Sequence, residues 1–405
     1  MIYRKLTPIE LAWVYLGKMA TPNVCRQIEL QGPLDLDRFQ SALCELQRRH
    51  ILFQSTLDVK NKAFVSCHRL LHAKVCSIDA AKDLFATELT IPFELGEDLL
   101  LRVNVIETSQ ESWLFVITYH HVIGDMYTII NFIHELFTIY VIPVSGEINA
   151  QQTLPLELKK SFPKGLQMLK FLAKNVLSRC VNSIARDLKL STQSQMLTIP
   201  PQKSAQLIEL AQQHQISVHD VLWSCLLKAY VKQHDNKAQS IETTCFIDLR
   251  HSIEDKSYKN LLGCWITLTK IALTIKPDAD VFAVAKTLRE KRKKNNKTAF
   301  AMACFGDWLF QLMLLVNRRR FGQVAITGGS HFYLNKTYGD LTIISTHGCY
   351  ASNSIFADVM LNFSVFFDQI FMTFSYATPA VREEMAVGVW HDFQQQIDNL
   401  LKEVA

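Results

Sequence analysis

An apolar run, Trp113-Leu114-Phe115-Val116-Ile117-Thr118-Tyr119, is followed at once by His120-His121-Val122-Ile123-Gly124-Asp125 and then by a periodic stretch from Tyr127 to Tyr140. The first segment reads as a buried strand and the last as an amphipathic helix. Two histidines and an aspartate therefore sit at a strand-to-helix turn, where backbone groups are open to a ligand and rigid elements hold the side chains. An imidazole there, with an ordinary pKa of about 6.5, takes up and returns a proton near neutrality. The aspartate is able either to fix the imidazole tautomer or to brace the turn. The pattern points to proton-transfer chemistry.

The rest of the chain alternates in the same way. Thr7-Pro8-Ile9-Glu10 is a capping box with proline at the first helical position, so a helix starts there. Strands are expected near 23–30, 51–57, 62–66, 100–107 and 112–119, with helices near 35–49 and 79–89. From Val141 to Pro163 the periodicity fails among Pro143, Gly146, Pro155 and Pro163, which reads as a linker, and 164–189 reads as a basic helix. A second half begins near Thr198, with helices at 202–214, 218–234 (capped by Ser217), 278–297 and 299–318. Its strands fall near 241–248, 264–275, 331–335 and 341–349, followed by a hairpin over 357–376 turning at Phe367-Asp368 and a last helix behind Thr378-Pro379. This order predicts an α/β protein with an N-terminal subdomain (1–145), a linker and basic helix (146–197) and a C-terminal subdomain (198–405).

Composition removes several alternatives. A net charge of +5 over 405 residues makes no global demand for nucleic acid. Ten scattered cysteines with no CxxC exclude zinc-ribbon spacing and suit reduced thiols. The N-terminus lacks the apolar core of a secretory signal, and Phe305 to Val316 is too short and too polar to span a bilayer. A soluble, cytoplasmic protein is expected. GxSxG, GxGxxG and GxxxxGK[ST] are all missing, so hydrolase-elbow, dinucleotide and P-loop readings have no support. No tetrahedral set completes His120, His121 and Asp125 as metal ligands.

The stretch from His120 to Asp125 resembles the HHxxxDG signature of the chloramphenicol-acetyltransferase-like acyltransferases, which include peptide-synthetase condensation domains and polyketide-associated acyltransferases. The resemblance extends along the chain. Residues 22–57 look like the family's opening; Ile91-Pro92-Phe93-Glu94-Leu95 through Leu101-Arg102-Val103 resembles its approach to the histidine strand; Phe246-Ile247-Asp248-Leu249-Arg250 with Leu262-Gly263-Cys264-Trp265 resembles its "DLR…LGN" block.

That resemblance implies a pseudo-dimer of two such subdomains with a central tunnel, and an acyltransferase moving an acyl group from a thioester to a hydroxyl, or less readily an amine. It implies His121 as the general base facing the tunnel, with His120 in support. For Asp125 it suggests an ion pair with Arg250 rather than orientation of His121. Asn335 matches an asparagine near the tunnel, and Met126 stands where the family has glycine; its N–H is an oxyanion donor candidate, with Gly124 two residues earlier. The donor would be acyl-coenzyme A or an acyl-phosphopantetheine arm, with no tightly bound cofactor and no metal. Arg289–Lys297 and Arg318-Arg319-Arg320 could receive coenzyme phosphates, an acyl carrier protein or an anionic membrane, or could simply be solvated helix ends. The alternative is a degenerate member kept as a binding or scaffold protein, which Met126 favours.

Overall fold

The computed structural model describes residues 2–17, 20–142, 190–234, 238–252, 262–303, 322–329, 332–351 and 357–402. The expected linker beyond Ile142, the basic helix at 164–189, most of the helix expected at 299–318, and Arg318–Arg320 lie outside the described residues. The elements in order are β1 (Ile2–Lys5), α1 (Pro8–Leu16), β2 (Asn23–Gln31), α2 (Leu36–Arg49), β3 (Ser55–Asp58), β4 (Ala63–Ser66) and β5 (Ala73–Val75). Next come α3 (Ala81–Thr90), β6 (Leu101–Ser109), β7 (Ser112–His120) and α4 (Met126–Val141). After them follow β8 (Ser191–Ile199), α5 (Pro201–Gln213), α6 (Val218–Lys232), β9 (Gln239–Asp248), β10 (Ile266–Ile275) and α7 (Val281–Ala303). The last are β11 (Val324–Gly329), β12 (Thr337–Tyr338), β13 (Leu341–Tyr350), β14 (Val359–Phe366), β15 (Gln369–Thr378) and α8 (Glu383–Lys402).

Two compact units result, one of Met1–Lys160 with Asp248–Ile266 and His331–Ala351, the other of Ser161–Ile247 with Thr267–Ser330 and Ser352–Ala405. Each carries a six-stranded mixed sheet with helices, ordered β12-β13-β2-β7-β6-β5 in the first and β10-β9-β11-β14-β15-β8 in the second. The protein is α/β. A boundary drawn along the chain at 145 and 198 does not register that 248–266 and 331–351 pack with the first unit. The reason is strand pairing: β13 adds to β2 antiparallel, with Tyr350 opposite Val24 and Thr342 opposite Gln31.

Local chemistry explains most of the elements. Thr7 caps α1, and Glu10 returns its carboxylate to the Thr7 N–H at 2.7 Å. Ser217 and Asp220 make the same reciprocal cap on α6. The β14–β15 hairpin turns on Phe367 and Asp368, both at positive φ (55° and 59°), which matches the right-handed twist of the flanking strands. In the first unit Phe39 of α2 and Phe137 of α4 close on Phe115 of β7, with ring centroids 5.0 and 5.9 Å away. Burying each such ring contributes about 1.5–3 kcal/mol.

Two expectations about elements need correction. Residues 332–335 are not a strand, although their aromatic content suggested one; they lead irregularly into β12. The strand of that region is instead β11, which pairs in parallel with β9 and β14. Helix α7 continues from Val281 to Ala303 without the break expected near 298.

Candidate active site

β7 delivers His120 as its last residue, and the chain then tightens into a 3-10 turn over His121–Ile123 before Asp125 caps α4. Backbone bonds pin the turn: His120 N–H donates to Leu100 O at 3.0 Å and His121 N–H to Pro22 O at 2.9 Å. His120 turns to the other side and its Nδ1 accepts the Val122 N–H at 3.1 Å, capping the turn. It therefore serves the backbone, and burial pushes its pKa down to about 3.

His121 has no accessible surface. Its ring lies between two aromatic faces: Trp13 of α1, stacked at 3.8 Å and 13°, and Tyr350 of β13, at 5.0 Å and 20°. Cys264 Sγ lies 3.7 Å from its Nδ1, and the Trp13 indole in turn bonds to that sulfur. Burial pushes the ring's pKa down to about 4, against the pull of hydrogen bonds to its own backbone and that of Gly124 and of the Asp125 charge. Nε2 has no hydrogen-bond partner among the described residues.

Asp125 is fully committed elsewhere. Its carboxylate meets Arg250 in a bidentate pair, Oδ2 to Nη1 at 2.7 Å and Oδ1 to Nη2 at 3.1 Å. It also accepts from the Trp265 N–H (2.9 Å) and the Thr128 N–H (3.1 Å). Burial alone would raise this carboxyl, and the guanidinium overrides it, holding the pKa below the usual carboxylate range. Arg250 also donates to Gly263 O at 3.1 Å and lies over the Tyr127 ring at 4.5 Å. The two turns are thereby tied together, with Thr128 Oγ1 accepting the Gly263 N–H at 2.9 Å. Gly263 itself needs glycine, since its φ is +136°.

Gly124 and Met126 differ from the expected division of labour. Gly124 is extended (φ −175°), which any residue adopts, so backbone freedom is not its contribution. Space is: a Cβ there would meet Thr128 Cγ2 at 2.7 Å. Met126 is the first residue of α4, so its helical φ suits methionine and its N–H belongs to the orphan amides of a helix start. Asn335 is not brought to this cluster. It precedes β12 at the opposite end of β13 from Tyr350, and its Oδ1 accepts from the Tyr333 hydroxyl at 2.6 Å. Trp13, Tyr350 and Cys264 were not singled out from sequence as site residues, because no spacing links α1 or β13 to the histidine turn.

Within the first basic cluster, Arg292 turns inward to Asp220 (3.0 Å) and to His219 Nδ1 (3.0 Å), while Lys293 and Lys294 are exposed. His219 Nε2 lies 3.8 Å from Cys245 Sγ, an order that imitates a nucleophile–base pair. It does not work as one. Burial pushes the Cys245 thiol up to about 11, so it is not a ready thiolate near neutrality. Among the described residues no group of three or more His, Cys, Asp or Glu side chains is placed to hold a metal, and no helix is long and apolar enough to cross a membrane.

Part of the sequence and the fold match known proteins. Residues 22–157 match the Condensation domain family profile. The protein is also similar over its whole length to polyketide synthase associated protein 5 from Mycobacterium tuberculosis, with TM-score 0.71, 16% identity and 100% of both chains covered. The first condensation domain of the CDA synthetase superposes with TM-score 0.70 at 13% identity, over 98% of this chain and 96% of that one. The fold is that of the condensation domains. By sequence, tyrocidine synthase 3 of Brevibacillus parabrevis is 24% identical over 265 residues, 57% of this chain and 4% of that protein. The chain spans between 1% and 5% of the length of the curated relatives it matches.

Proposed function

We propose that this protein is an acyltransferase that moves an acyl group from a thioester to a hydroxyl, and less readily to an amine, with His121 as general base. The observation that carries the reading is the buried Nε2 of His121, which has no hydrogen-bond partner among the described residues. With the ring proton on Nδ1, beside Cys264 Sγ, Nε2 would offer its lone pair to an incoming O–H or N–H. In the proposed step the acceptor attacks the thioester carbonyl while Nε2 takes its proton. Collapse of the tetrahedral intermediate breaks the C–S bond, and the proton passes to the departing thiolate. The orphan Met126 N–H at the start of α4 is the proposed donor to the carbonyl oxygen. Asp125 and Arg250 hold the turn in shape and take no proton.

The donor is proposed to be acyl-coenzyme A or an acyl-phosphopantetheine arm, with an acyl carrier protein as the partner in the second case. Because His121 has no accessible surface, substrate entry must displace one of its covers, and the Trp13 indole lies closest. The same burial, together with Met126, favours the second reading, a non-catalytic binding protein built on this fold. The two separate on product formation. The protein is incubated with acyl-coenzyme A or acyl-phosphopantetheine and a panel of alcohols and amines, and acylated acceptor is sought by mass spectrometry. Ester or amide formation supports the enzyme, whereas its absence across the panel supports the binding protein.

A further inference from the structure

The first basic cluster splits three ways. Arg292 turns inward to Asp220, Lys293 and Lys294 stay exposed, and Lys291 reaches the backbone of β10, its Nζ donating to Ala272 O at 2.7 Å. One helical turn further on, Asn295 Nδ2 donates to Lys270 O at 3.0 Å. The spacings match, since four residues of a helix rise about 6 Å and two residues of a strand about 6.8 Å. Two side chains on one face of α7 thus meet two carbonyls on one side of β10.

That side is the free edge of the second sheet. β10 is its end strand, with β9 as the neighbour. The Leu249 N–H donates to Trp265 O at 2.7 Å, joining the end of β9 to the start of β10. The two strands therefore run antiparallel, and odd-numbered residues of β10 turn their backbone groups to β9. Even-numbered residues of β9 face β11 instead, as the bond from the Gln323 N–H to Glu242 O (2.7 Å) requires. By the same alternation the carbonyls of Lys270 and Ala272 point away from the sheet.

The strand is of a kind that recruits another. From Ile266 to Ile275 it holds only Ile, Thr, Leu, Ala and one lysine, and that lysine is paired with Glu242 at 2.8 Å. A long edge rich in β-branched residues, with no proline or glycine, templates a further strand unless it is covered. The opposite edge, β8, is blunted differently, by Ser191, Thr192, Gln193, Ser194 and Gln195. An antiparallel strand is complementary to its own copy about a two-fold axis, so the partner that fits β10 is β10 of a second chain.

We propose that Lys291 and Asn295 close the free edge of the second sheet against a second copy of this chain, by occupying the carbonyls that the copy would bond. Without them, two six-stranded sheets join across the axis into one. The closure goes beyond the acyl-transfer reading and stands or falls without it.

Light scattering on the full chain, after size exclusion, tests it. Wild type is expected to run as a single chain, and Lys291→Ala with Asn295→Ala to double the molar mass, reversibly on dilution. Lys291→Arg keeps a donor and should stay single. Lys293→Ala with Lys294→Ala removes more charge but leaves both bonds to β10 in place, so it should also stay single. Ala272→Pro, added to the associating variant, deletes an N–H on the free edge and spares the ladder to β9. It should restore a single chain with an unchanged far-ultraviolet circular dichroism spectrum. A wild type that is already dimeric, or a Lys291→Ala, Asn295→Ala variant that stays single or loses its fold, would overturn the closure. So would equal association of the Lys293→Ala, Lys294→Ala control, or a dimer that survives Ala272→Pro.

Discussion

Trp13 lies flat against His121, 3.8 Å away and 13° from parallel, while its indole N–H is engaged by Cys264. The contact joins the first helix of the chain to the histidine turn and keeps water off one face of the imidazole. It fixes the plane of the ring and helps hold the base neutral, so its consequences are kinetic as well as structural.

Removing the stack therefore moves the pH profile. In the wild type, with the His121 pKa drawn down by burial to about 4, kcat/KM should be flat from pH 6 to 8. Trp13→Ala readmits solvent, so the acid limb should rise toward the ordinary histidine value of about 6.5. Misplacement of the ring should cost a further 10- to 100-fold or so in kcat/KM. Trp13→Phe keeps a stacked face and should retain the wild-type limb. A profile of kcat/KM against pH for the three proteins decides it; an unmoved limb in Trp13→Ala would mean the indole does not shield the base.

The Asp125–Arg250 pair carries a stability prediction. Both side chains are almost fully buried, at 2% and 3% exposure, and the pair is bidentate. Asp125→Ala strands the guanidinium and should destabilise the protein by about 3–5 kcal/mol. The double variant Asp125→Leu with Arg250→Met removes both charges and should recover much of that loss. Urea unfolding midpoints of the singles and the double check this, and a strictly additive double would show that the two residues do not act as a pair.

Acid should weaken the fold over a defined window. His120 and His121 have folded pKa values of about 3 and about 4, both drawn down by burial, against about 6.5 when unfolded. The unfolded chain thus binds more protons below pH 6.5, and stability falls with pH through that window. The contribution is fully present above about 6.5 and is lost progressively toward 4; for His121 it is on the order of 3 kcal/mol. His121→Gln should flatten the dependence of unfolding free energy on pH between 4 and 6.5. An unchanged slope in that variant would place the acid sensitivity elsewhere.

Much of this architecture was legible in the chain because local chemistry and tertiary structure agree there. Thr7 with Glu10, Ser217 with Asp220 and the Phe367-Asp368 turn each carry their geometry in a few adjacent residues. β8 and β11 were not legible. Ser191–Ile199 is polar and alternates weakly, and Val324–Gly329 is short and ends in two glycines, so neither shows an apolar run. They are strands because β15, β9 and β14 pair with them. The histidine turn was visible as a motif, but its covering was not. Trp13 and Tyr350 reach it through a helix packing and a strand pairing between segments far apart in the chain.

The central claim is that the Nε2 lone pair of His121 takes the acceptor's proton. Thiol release from acyl-coenzyme A or acyl-phosphopantetheine, followed with and without an alcohol acceptor in wild type and His121→Ala, tests it most directly. The account predicts acceptor-dependent release in the wild type and a loss of about 100- to 10,000-fold in the variant, with its fold intact. Release that is the same in both proteins, or absent from both, would contradict it.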